Sequence, residues 1–286
     1  MPPDAMDYIS LEDTVADVRT ATRLVTYNVY QGRNKKRAAA AWAQMLTELA
    51  PDLLFMQEAP DPDERWGLAP AGADAAPACL WAAVPGMEWG SGLAVRGGRL
   101  TPLPIPADFS GWVVGAQVDG RRWPGIGIAP VWVFSIHAPS RPKRSNYVAE
   151  VGRILDFIAA AAPPCPLILA GDFNVVVGRR ASEATPATST GERTLLDRLG
   201  AEFGLVPCWQ TAHPGEPLAR TLRWLHRIDS QPYHCDGVFI PAAWIGALHS
   251  CSVLEGDAWL GRSDHNPVIA TLRECESDGR TDLRVR

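Results

Sequence analysis

The stretch Leu24-Val25-Thr26-Tyr27-Asn28-Val29 is rich in β-branched and aromatic residues, which is typical of a β-strand. Apolar side chains then recur with helical spacing over residues 36–49, and Pro51 ends that pattern. The run from Asp52 to Glu58 has an apolar centre, Leu53–Met56, and indicates a second strand. A strand, a helix and a strand in this order predict an α/β fold in which the two strands are parallel neighbours.

The middle of the chain has a different character. Short strand-like runs at Ser91–Arg96, Trp112–Val118 and Val131–His137 are separated by Gly and Pro turns, which predicts an antiparallel meander. Later elements are predicted as helices over Asn146–Ala161, with Ser145 as N-cap, and Glu192–Phe203, ended by Gly204, and as strands at Leu167–Ala170, Gly237–Ile240 and Pro267–Leu272. This order suits an α/β domain of two mixed sheets packed together and flanked by helices.

Composition and charge narrow the class of protein. The chain of 286 residues is 47% hydrophobic and 21% charged, which is ordinary for a globular protein. Its net charge of −5 argues against a protein that coats nucleic acid by neutralising many phosphates. Six cysteines without C-x-x-C spacing predict reduced thiols. With no apolar run long enough to span a membrane and no secretory signal, we expect a monomeric, cytoplasmic protein.

The domain organisation follows from where the patterned segments begin and end. We expect a poorly ordered leader over residues 1–22, a single folded domain over 23–273 and a polar tail over 274–286.

Polar residues stand at the ends of the apolar strands, at Asn28, Glu58, His137, Asp172, Asn174, Asp236, Asp264 and His265. Any one of them alone is best interpreted as a turn former or cap. Eight such residues at successive strand ends indicate a site, because strand ends converge on one edge of a sheet. Carboxylate and amide oxygens suit a hard cation such as Mg²⁺. Without a motif for a nucleophilic Ser or Cys, they point to attack by an activated water.

Six segments occur in the order found in a known superfamily: Thr26-Tyr27-Asn28-Val29, Gln57-Glu58, Ser135-Ile136-His137, Gly171-Asp172-Phe173-Asn174, His234-Cys235-Asp236-Gly237-Val238-Phe239 and Ser263-Asp264-His265-Asn266-Pro267-Val268. Together they resemble the endonuclease/exonuclease/phosphatase superfamily of exonuclease III, deoxyribonuclease I and the inositol phosphatases. The resemblance covers Leu24 to Leu272. It implies a four-layer α/β sandwich, dependence on Mg²⁺ or Mn²⁺, and hydrolysis of a phosphate ester.

The resemblance also implies roles for individual residues around the metal and the water. Glu58 would bind the metal with Asn28 beside it, and Asp264 would contribute from the far side. Asp172 would orient or deprotonate the attacking water, while Asn174 would hold that water or a phosphate oxygen.

The histidines would act on the phosphate group. His265, held by Asp236, would stabilise negative charge in the transition state, and His137 would contact the phosphate or the leaving group. Glu88 is a candidate partner of His137. One departure concerns Cys235-Asp236-Gly237-Val238, where relatives have Ile-Asp-Tyr-Val, so that an aromatic wall beside the aspartate is missing.

The substrate is less well defined by the sequence. Candidate substrate-binding residues stand in three segments near the site, at Arg33, at Arg141, Lys143 and Arg144, and at Arg223 with Trp224. The alternative is that these charges are solvated loop residues and that Trp224 belongs to the core. We expect a metal-dependent nuclease or phosphodiesterase acting on nucleic acid. The alternatives are an enzyme of the same fold acting on a small phosphorylated molecule (a nucleotide, inositol phosphate or lipid head group), or a catalytically inactive binding module.

Overall fold

The computed structural model describes residues 21–30, 40–41, 44–62, 78–123, 126–140, 146–161, 165–180, 187–223 and 233–273. The strands are β1 Thr22–Asn28, β2 Leu53–Ala59, β3 Ala78–Ala83, β4 Gly90–Val95, β5 Arg99–Pro102, β6 Val113–Asp119, β7 Arg122–Trp123, β8 Gly127–Ile128, β9 Val131–His137, β10 Leu167–Asp172, β11 Leu205–Pro207, β12 Asp236–Pro241, β13 Leu248–Val253 and β14 Val268–Leu272. The helices are α1 Tyr147–Ala161, α2 Thr190–Ala201, α3 Cys208–Ala212 and α4 Asp257–Leu260, with a π-helical turn at Met45–Leu49 and 3₁₀ turns at Ala107–Phe109 and Ala242–Ala247.

Most strands belong to two mixed six-stranded sheets. The first has the order β13-β14-β1-β2-β4-β3 and the second the order β11-β12-β10-β9-β6-β5, while β7 and β8 form a separate hairpin. β1 and β2 are parallel, with Asn28 opposite Gln57, as the opening pattern predicts. In the second sheet β10 is parallel to β9 and antiparallel to β12, so that Asp172 lies opposite both His137 and Asp236.

Alternate residues of the central strands face different layers of the molecule. In β10, Ile168 and Ala170 lie in the core between the two sheets, together with Leu24 of β1. Leu169 faces the opposite side and packs with residues of α1 and α2, whereas Tyr27 packs on the outer face of the first sheet with the Met45–Leu49 turn. The predicted sandwich of two mixed sheets with helices on the outside is therefore confirmed.

The predicted meander is wrong in its first member. The run Ser91–Arg96 corresponds to β4, which pairs with β2 and β3 in the first sheet. Only the other two runs, β6 and β9, are antiparallel neighbours, and they lie in the second sheet. A period-two pattern identifies a strand but not its partner, because a chain in a sandwich can cross from one sheet to the other between consecutive strands.

The first residue of a helix is set by its capping residue, which the periodicity of apolar residues does not identify. The Oδ1 atom of Asn146 accepts a hydrogen bond from the backbone N–H of Ala149 at 2.9 Å, so Asn146 acts as a cap of α1, while the predicted cap Ser145 lies outside the described residues. α2 begins earlier than predicted because Ser189 and Glu192 form a reciprocal capping box. No helix among the described residues is long and apolar enough to cross a membrane.

Candidate active site

One end of the two sheets brings the polar strand-end residues together. Asn28 and Asp172 end β1 and β10, His137 ends β9, and Asp236 begins β12. Since β12 is antiparallel to β10, its first residue lies at the same edge as the last residue of β10. The side chains of Asn28, Asp172 and Asp236 are almost completely buried, which is unusual for such groups unless they are paired with one another or with a ligand.

Glu58 reaches this edge through a local distortion of β2. The residue has φ of +46°, and the pairing of β2 with β4 shifts register between Met56 and Ala59. A non-glycine residue in the left-handed region is strained, and such strain concentrates at functional sites. The distortion places the Glu58 carboxylate 3.3 Å from the amide nitrogen of Asn28 and 3.7 Å from Nε2 of His137.

The Asp172 carboxylate is at the centre of the polar cluster. Its Oδ2 atom accepts a hydrogen bond from Nδ2 of Asn28 at 3.0 Å, and its Oδ1 atom accepts one from the backbone N–H of Asn174 at 2.9 Å. Oδ2 also lies 3.7 Å from Nε2 of His265 and 3.9 Å from Nε2 of His137. One carboxylate oxygen is thus close to two imidazoles.

Asp236 and His265 form a buried pair beside Asp172. Nδ1 of His265 lies 2.9 and 3.1 Å from the two carboxylate oxygens of Asp236, which fixes the ring with Nε2 toward Asp172. Burial opposes charging of His265, but the nearby carboxylates of Asp236 and Asp172 outweigh it and raise the pKa of His265 to about 10. The hydroxyl of Thr221 accepts hydrogen bonds from the backbone N–H groups of Cys235 and Asp236 at 2.9 and 3.0 Å, which holds the backbone of Asp236. The bond to Asp236 and the raised pKa together make His265 an imidazolium of fixed orientation.

His137 has a contrasting environment. Its ring packs against the indoles of Trp89 and Trp112, with centroids 5.7 and 5.0 Å away, and burial lowers the pKa of His137 to about 4. Its Nδ1 atom has no hydrogen-bond partner within the part of the chain that the structure describes, so Nδ1 does not donate a hydrogen bond to Glu88. The site therefore combines one cationic and one neutral imidazole on either side of Asp172.

Asn174 is held beside Asp172 by three hydrogen bonds. Besides the bond from its backbone N–H to Asp172, its side-chain nitrogen donates to the carbonyl of Ala138 at 3.1 Å, and its own carbonyl accepts from the Tyr233 hydroxyl at 2.9 Å. The residue has φ of +53°. The Asn174 side chain lines the cleft described below.

The carboxylates of Glu58, Asp172 and Asp264 provide the donor set expected of a hard divalent cation. Burial first, and then the nearby carboxylates of Asp172 and Asp264, raise the pKa of Glu58 to about 7. Oδ1 of Asp264 is buried without a hydrogen-bond partner among the described residues. A cation would relieve the crowding of negative charge and would bind the Asp264 oxygen that lacks a hydrogen bond, so these residues fit one. The Asn28 oxygen accepts from the backbone N–H of Tyr30 at 2.9 Å, which turns its nitrogen toward the carboxylates.

A second group of possible ligands, Asp172, Cys235, Asp236 and His265, has donor atoms within 4.8 Å of one another. We favour the Glu58 side for two reasons. Asp236 and His265 are already bonded to each other, and burial raises the pKa of the Cys235 thiol well above its ordinary value, so that the thiol keeps its proton.

These groups open into a cleft of about 490 Å³, which falls within the range typical of small-ligand sites. Four aromatic residues that the sequence did not single out line it, namely Tyr30, Trp89, Trp112 and Tyr147. The pairing of Val113 with Ile136 places Trp112 beside the end of β9. That pairing becomes visible only once the partners of β6 are known.

Arg223 is the one predicted substrate-binding residue that lies within the described ranges. It lines the cleft, but its guanidinium donates to the backbone carbonyl of Ser263 at 2.5 Å and to Oδ1 of Asn266 at 2.5 Å. Further bonds of 3.2 and 3.3 Å reach the carbonyls of Trp259 and His265. In this structure Arg223 holds the segment that carries Asp264 and His265. The other predicted substrate-binding residues, Arg33, Arg141, Lys143, Arg144 and Trp224, lie outside the described residues.

Solved structures with the same fold include several nucleic-acid enzymes. The AP endonuclease LMAP from Leishmania major is 17% identical, with 92% of this chain and 90% of that chain covered and a TM-score of 0.64. An AP endonuclease from Archaeoglobus fulgidus is 15% identical, with 88% and 99% covered and a TM-score of 0.62. The 3′ phosphatase NExo from Neisseria, solved with a product DNA hairpin, is 19% identical, with 87% and 98% covered and a TM-score of 0.64.

Sequence comparison gives the family directly. No curated protein matches the chain in sequence. The model of the endonuclease/exonuclease/phosphatase family, however, matches residues 25–265, which include every strand-end residue of the site. The proteins of this fold are generally phosphoester hydrolases. The chain belongs to the endonuclease/exonuclease/phosphatase family.

Proposed function

We propose that the protein hydrolyses a phosphodiester bond in nucleic acid by metal-assisted attack of water. The observation that carries this proposal is the position of Asp172, which lines a carboxylate-rich cleft and whose Oδ2 lies within 4 Å of two imidazoles. Two of the structurally similar proteins are named as AP endonucleases, and another was solved with product DNA, which supports a nucleic-acid substrate.

The roles of the protein groups follow from the geometry. Asp172 accepts the proton of the attacking water as the bond from the water oxygen to phosphorus forms, and the bond to the leaving oxygen breaks. Asn174 holds that water or a phosphate oxygen. The imidazolium of His265, fixed by Asp236, stabilises the negative charge that grows on the phosphate oxygens. His137 faces the phosphate or the leaving oxygen with its Nε2 atom.

Glu58 and Asp264 would hold the cation, and the amide of Asn28 positions Glu58 and Asp172 relative to each other. Mg²⁺ or Mn²⁺, when bound, supplies Lewis-acid polarisation of the phosphate and lowers the pKa of water.

A second candidate is hydrolysis of a small phosphorylated molecule. Among the described residues that line the cleft, one is a Lys or Arg, and that residue, Arg223, is bonded to protein carbonyls. With a net charge of −5, this gives little attraction for a long polyanion. The inactive-module alternative is disfavoured by the complete set of Asp172, Asp236 and His265, in which His265 is bonded to Asp236 and its Nε2 lies 3.7 Å from Asp172.

The test is a side-by-side assay of purified protein on single-stranded, duplex and abasic DNA, RNA and small phosphoesters. We expect hydrolysis that EDTA abolishes and Mg²⁺ or Mn²⁺ restores. Asp172→Asn should lower kcat by roughly 10² to 10⁴-fold without unfolding the protein, because it removes the base. Activity that survives chelation would contradict the metal site, and near-normal turnover of Asp172→Asn would contradict the role of that carboxylate. Turnover of small phosphoesters alone would favour the second candidate. A monomeric, cytoplasmic protein remains our expectation.

A further inference from the structure

Two tryptophans form one wall of the cleft beside the catalytic groups. Trp89 lies directly before β4 and Trp112 directly before β6, and their rings meet edge to face with centroids 5.4 Å apart and an interplanar angle of 87°. Both rings are half-buried, line the cleft and pack against His137. An apolar, aromatic surface therefore directly adjoins a residue that faces the phosphate.

The backbone fixes the position of both rings. Gly111 has φ of +75°, and a Cβ atom there would lie 2.2 Å from the carbonyl carbon of Ala83, so only glycine lets the start of β6 approach the end of β3 this closely. The carbonyl of Trp112 accepts a bond from the backbone N–H of His137 at 2.8 Å, and the carbonyl of Trp89 accepts one from Val84 at 2.9 Å. The backbone beside both rings is thus fixed, and the rings pack against each other and against His137 without any substrate, which lowers the entropic cost of binding on them.

The chemistry of the cleft indicates what this wall contacts. The guanidinium of Arg223 is bonded to protein acceptors, so the described lining offers rings rather than free positive charge to the group next to the phosphate. In a nucleic acid that group is a nucleoside, and an unpaired base offers an aromatic face for stacking. A base inside a duplex has both faces stacked on its neighbours and must first be unstacked to reach a cleft.

We propose that Trp89 and Trp112 form a stacking platform for an unpaired nucleobase next to the scissile phosphate, and that the enzyme therefore prefers single-stranded or unpaired segments. This proposal rests on the proposed function and adds the class of nucleic acid to it.

The test compares three substrates with the same backbone. They are a short single-stranded oligothymidylate, its duplex with oligoadenylate, and a single-stranded oligomer of tetrahydrofuran residues that carries no bases. Each is assayed with Mg²⁺ or Mn²⁺ on the wild type, Trp89→Ala, Trp112→Ala, Trp112→Phe and Met87→Ala. Met87 is the matched control because it lies in the same β3–β4 turn, is 52% exposed and does not line the cleft.

We expect the wild type to prefer oligothymidylate over both other substrates. Each Trp→Ala change should lower kcat/KM on oligothymidylate by about 5- to 150-fold, the range measured for loss of one stacked base. The same changes should alter kcat/KM on the base-free oligomer by less than about 2-fold. Trp112→Phe should retain most of the activity, and Met87→Ala should match the wild type on all substrates.

Three outcomes would overturn the platform. Equal losses on the base-bearing and base-free oligomers would show that the rings only support His137. Unchanged kcat/KM in both Trp→Ala variants, or a preference for the duplex or the base-free oligomer, would show that no base is bound there. Each of these leaves hydrolysis of nucleic acid intact. A wild-type enzyme that cleaves neither these three substrates nor a single-stranded oligouridylate would instead refute the nucleic-acid part of the proposed function, and the platform with it.

Discussion

Replacing Asp236 by Asn removes a buried negative charge from His265 while keeping the shape of the side chain and one acceptor oxygen. In the structure both carboxylate oxygens of Asp236 lie within 3.1 Å of Nδ1 of His265, and both side chains are nearly inaccessible to solvent. Without the carboxylate charge, burial favours the neutral form of His265. The variant therefore tests whether the imidazolium is held at the site by this pair.

The magnitude follows from the shift in the pKa of His265, from 6.5 to about 10. That rise corresponds to roughly 5 kcal/mol of preference for the charged form in the folded protein. Because the folded pKa lies above the unfolded one, the folded state keeps a proton that the unfolded chain releases above pH 6.5. This contribution to stability is fully present below pH 6.5 and is lost as the pH rises toward 10.

The assay is chemical denaturation of the metal-free protein in EDTA at several pH values between 6 and 10. We expect the difference in unfolding free energy between the wild type and Asp236→Asn to be several kcal/mol at pH 6 and to shrink as the pH rises. Asp197→Asn is the control, because Asp197 pairs with Arg179 through side chains that are 64% and 52% exposed. It should change stability by less than about 1 kcal/mol at every pH. If the difference in unfolding free energy between the wild type and Asp236→Asn stays constant between pH 6 and 10, Asp236 and His265 do not form an ion pair and His265 is neutral in the folded protein.

Two further changes test the surroundings of the site. Arg223→Lys should destabilise the protein by roughly 1–3 kcal/mol and lower kcat more than it raises KM, because one ammonium cannot bond the acceptors at Ser263 and Asn266 together. A change confined to KM would instead indicate that Arg223 contacts the substrate directly. Glu58→Gln should reduce the rise in Tm that Mg²⁺ produces in the wild type, as measured by differential scanning fluorimetry. At a free Mg²⁺ concentration of 100 Kd, binding stabilises the wild type by about 2.7 kcal/mol. An equal rise in Tm in both proteins would show that Glu58 does not hold the cation.

The sequence predicts elements better than it predicts their partners. β1 and β2 are parallel neighbours, as predicted. The prediction is possible because parallel strands need a long connection such as a helical segment, and a short turn would not allow them. The run at Ser91–Arg96 has the same strand character as β6, yet its hydrogen bonds go to the other sheet. The choice between sheets depends on which faces bury apolar side chains in three dimensions, and a single strand with apolar residues on both faces does not encode that choice.

The site likewise has a part that the sequence predicts and a part that it does not. The residues proposed for chemistry lie at strand ends or in the loops next to them, so their convergence follows from the order and direction of the strands at one edge of the sheets. Glu58 needed one more feature, the register shift that turns its side chain, and this leaves no mark in the sequence because a bulge requires no particular residue there.

The tryptophans show why substrate preference is harder to predict than reaction chemistry. Trp89 and Trp112 directly precede strands of different sheets, and Gly111 allows the backbone at the start of β6 to approach the end of β3 closely. An isolated Trp before a strand is equally compatible with a core position, and eleven tryptophans offer many such candidates. The carboxylates and imidazoles act on a phosphate group that every substrate shares, so a short local motif can encode them. The groups that distinguish one substrate from another lie beside the phosphate, and the surface that contacts them is assembled from distant segments by the packing of the two sheets.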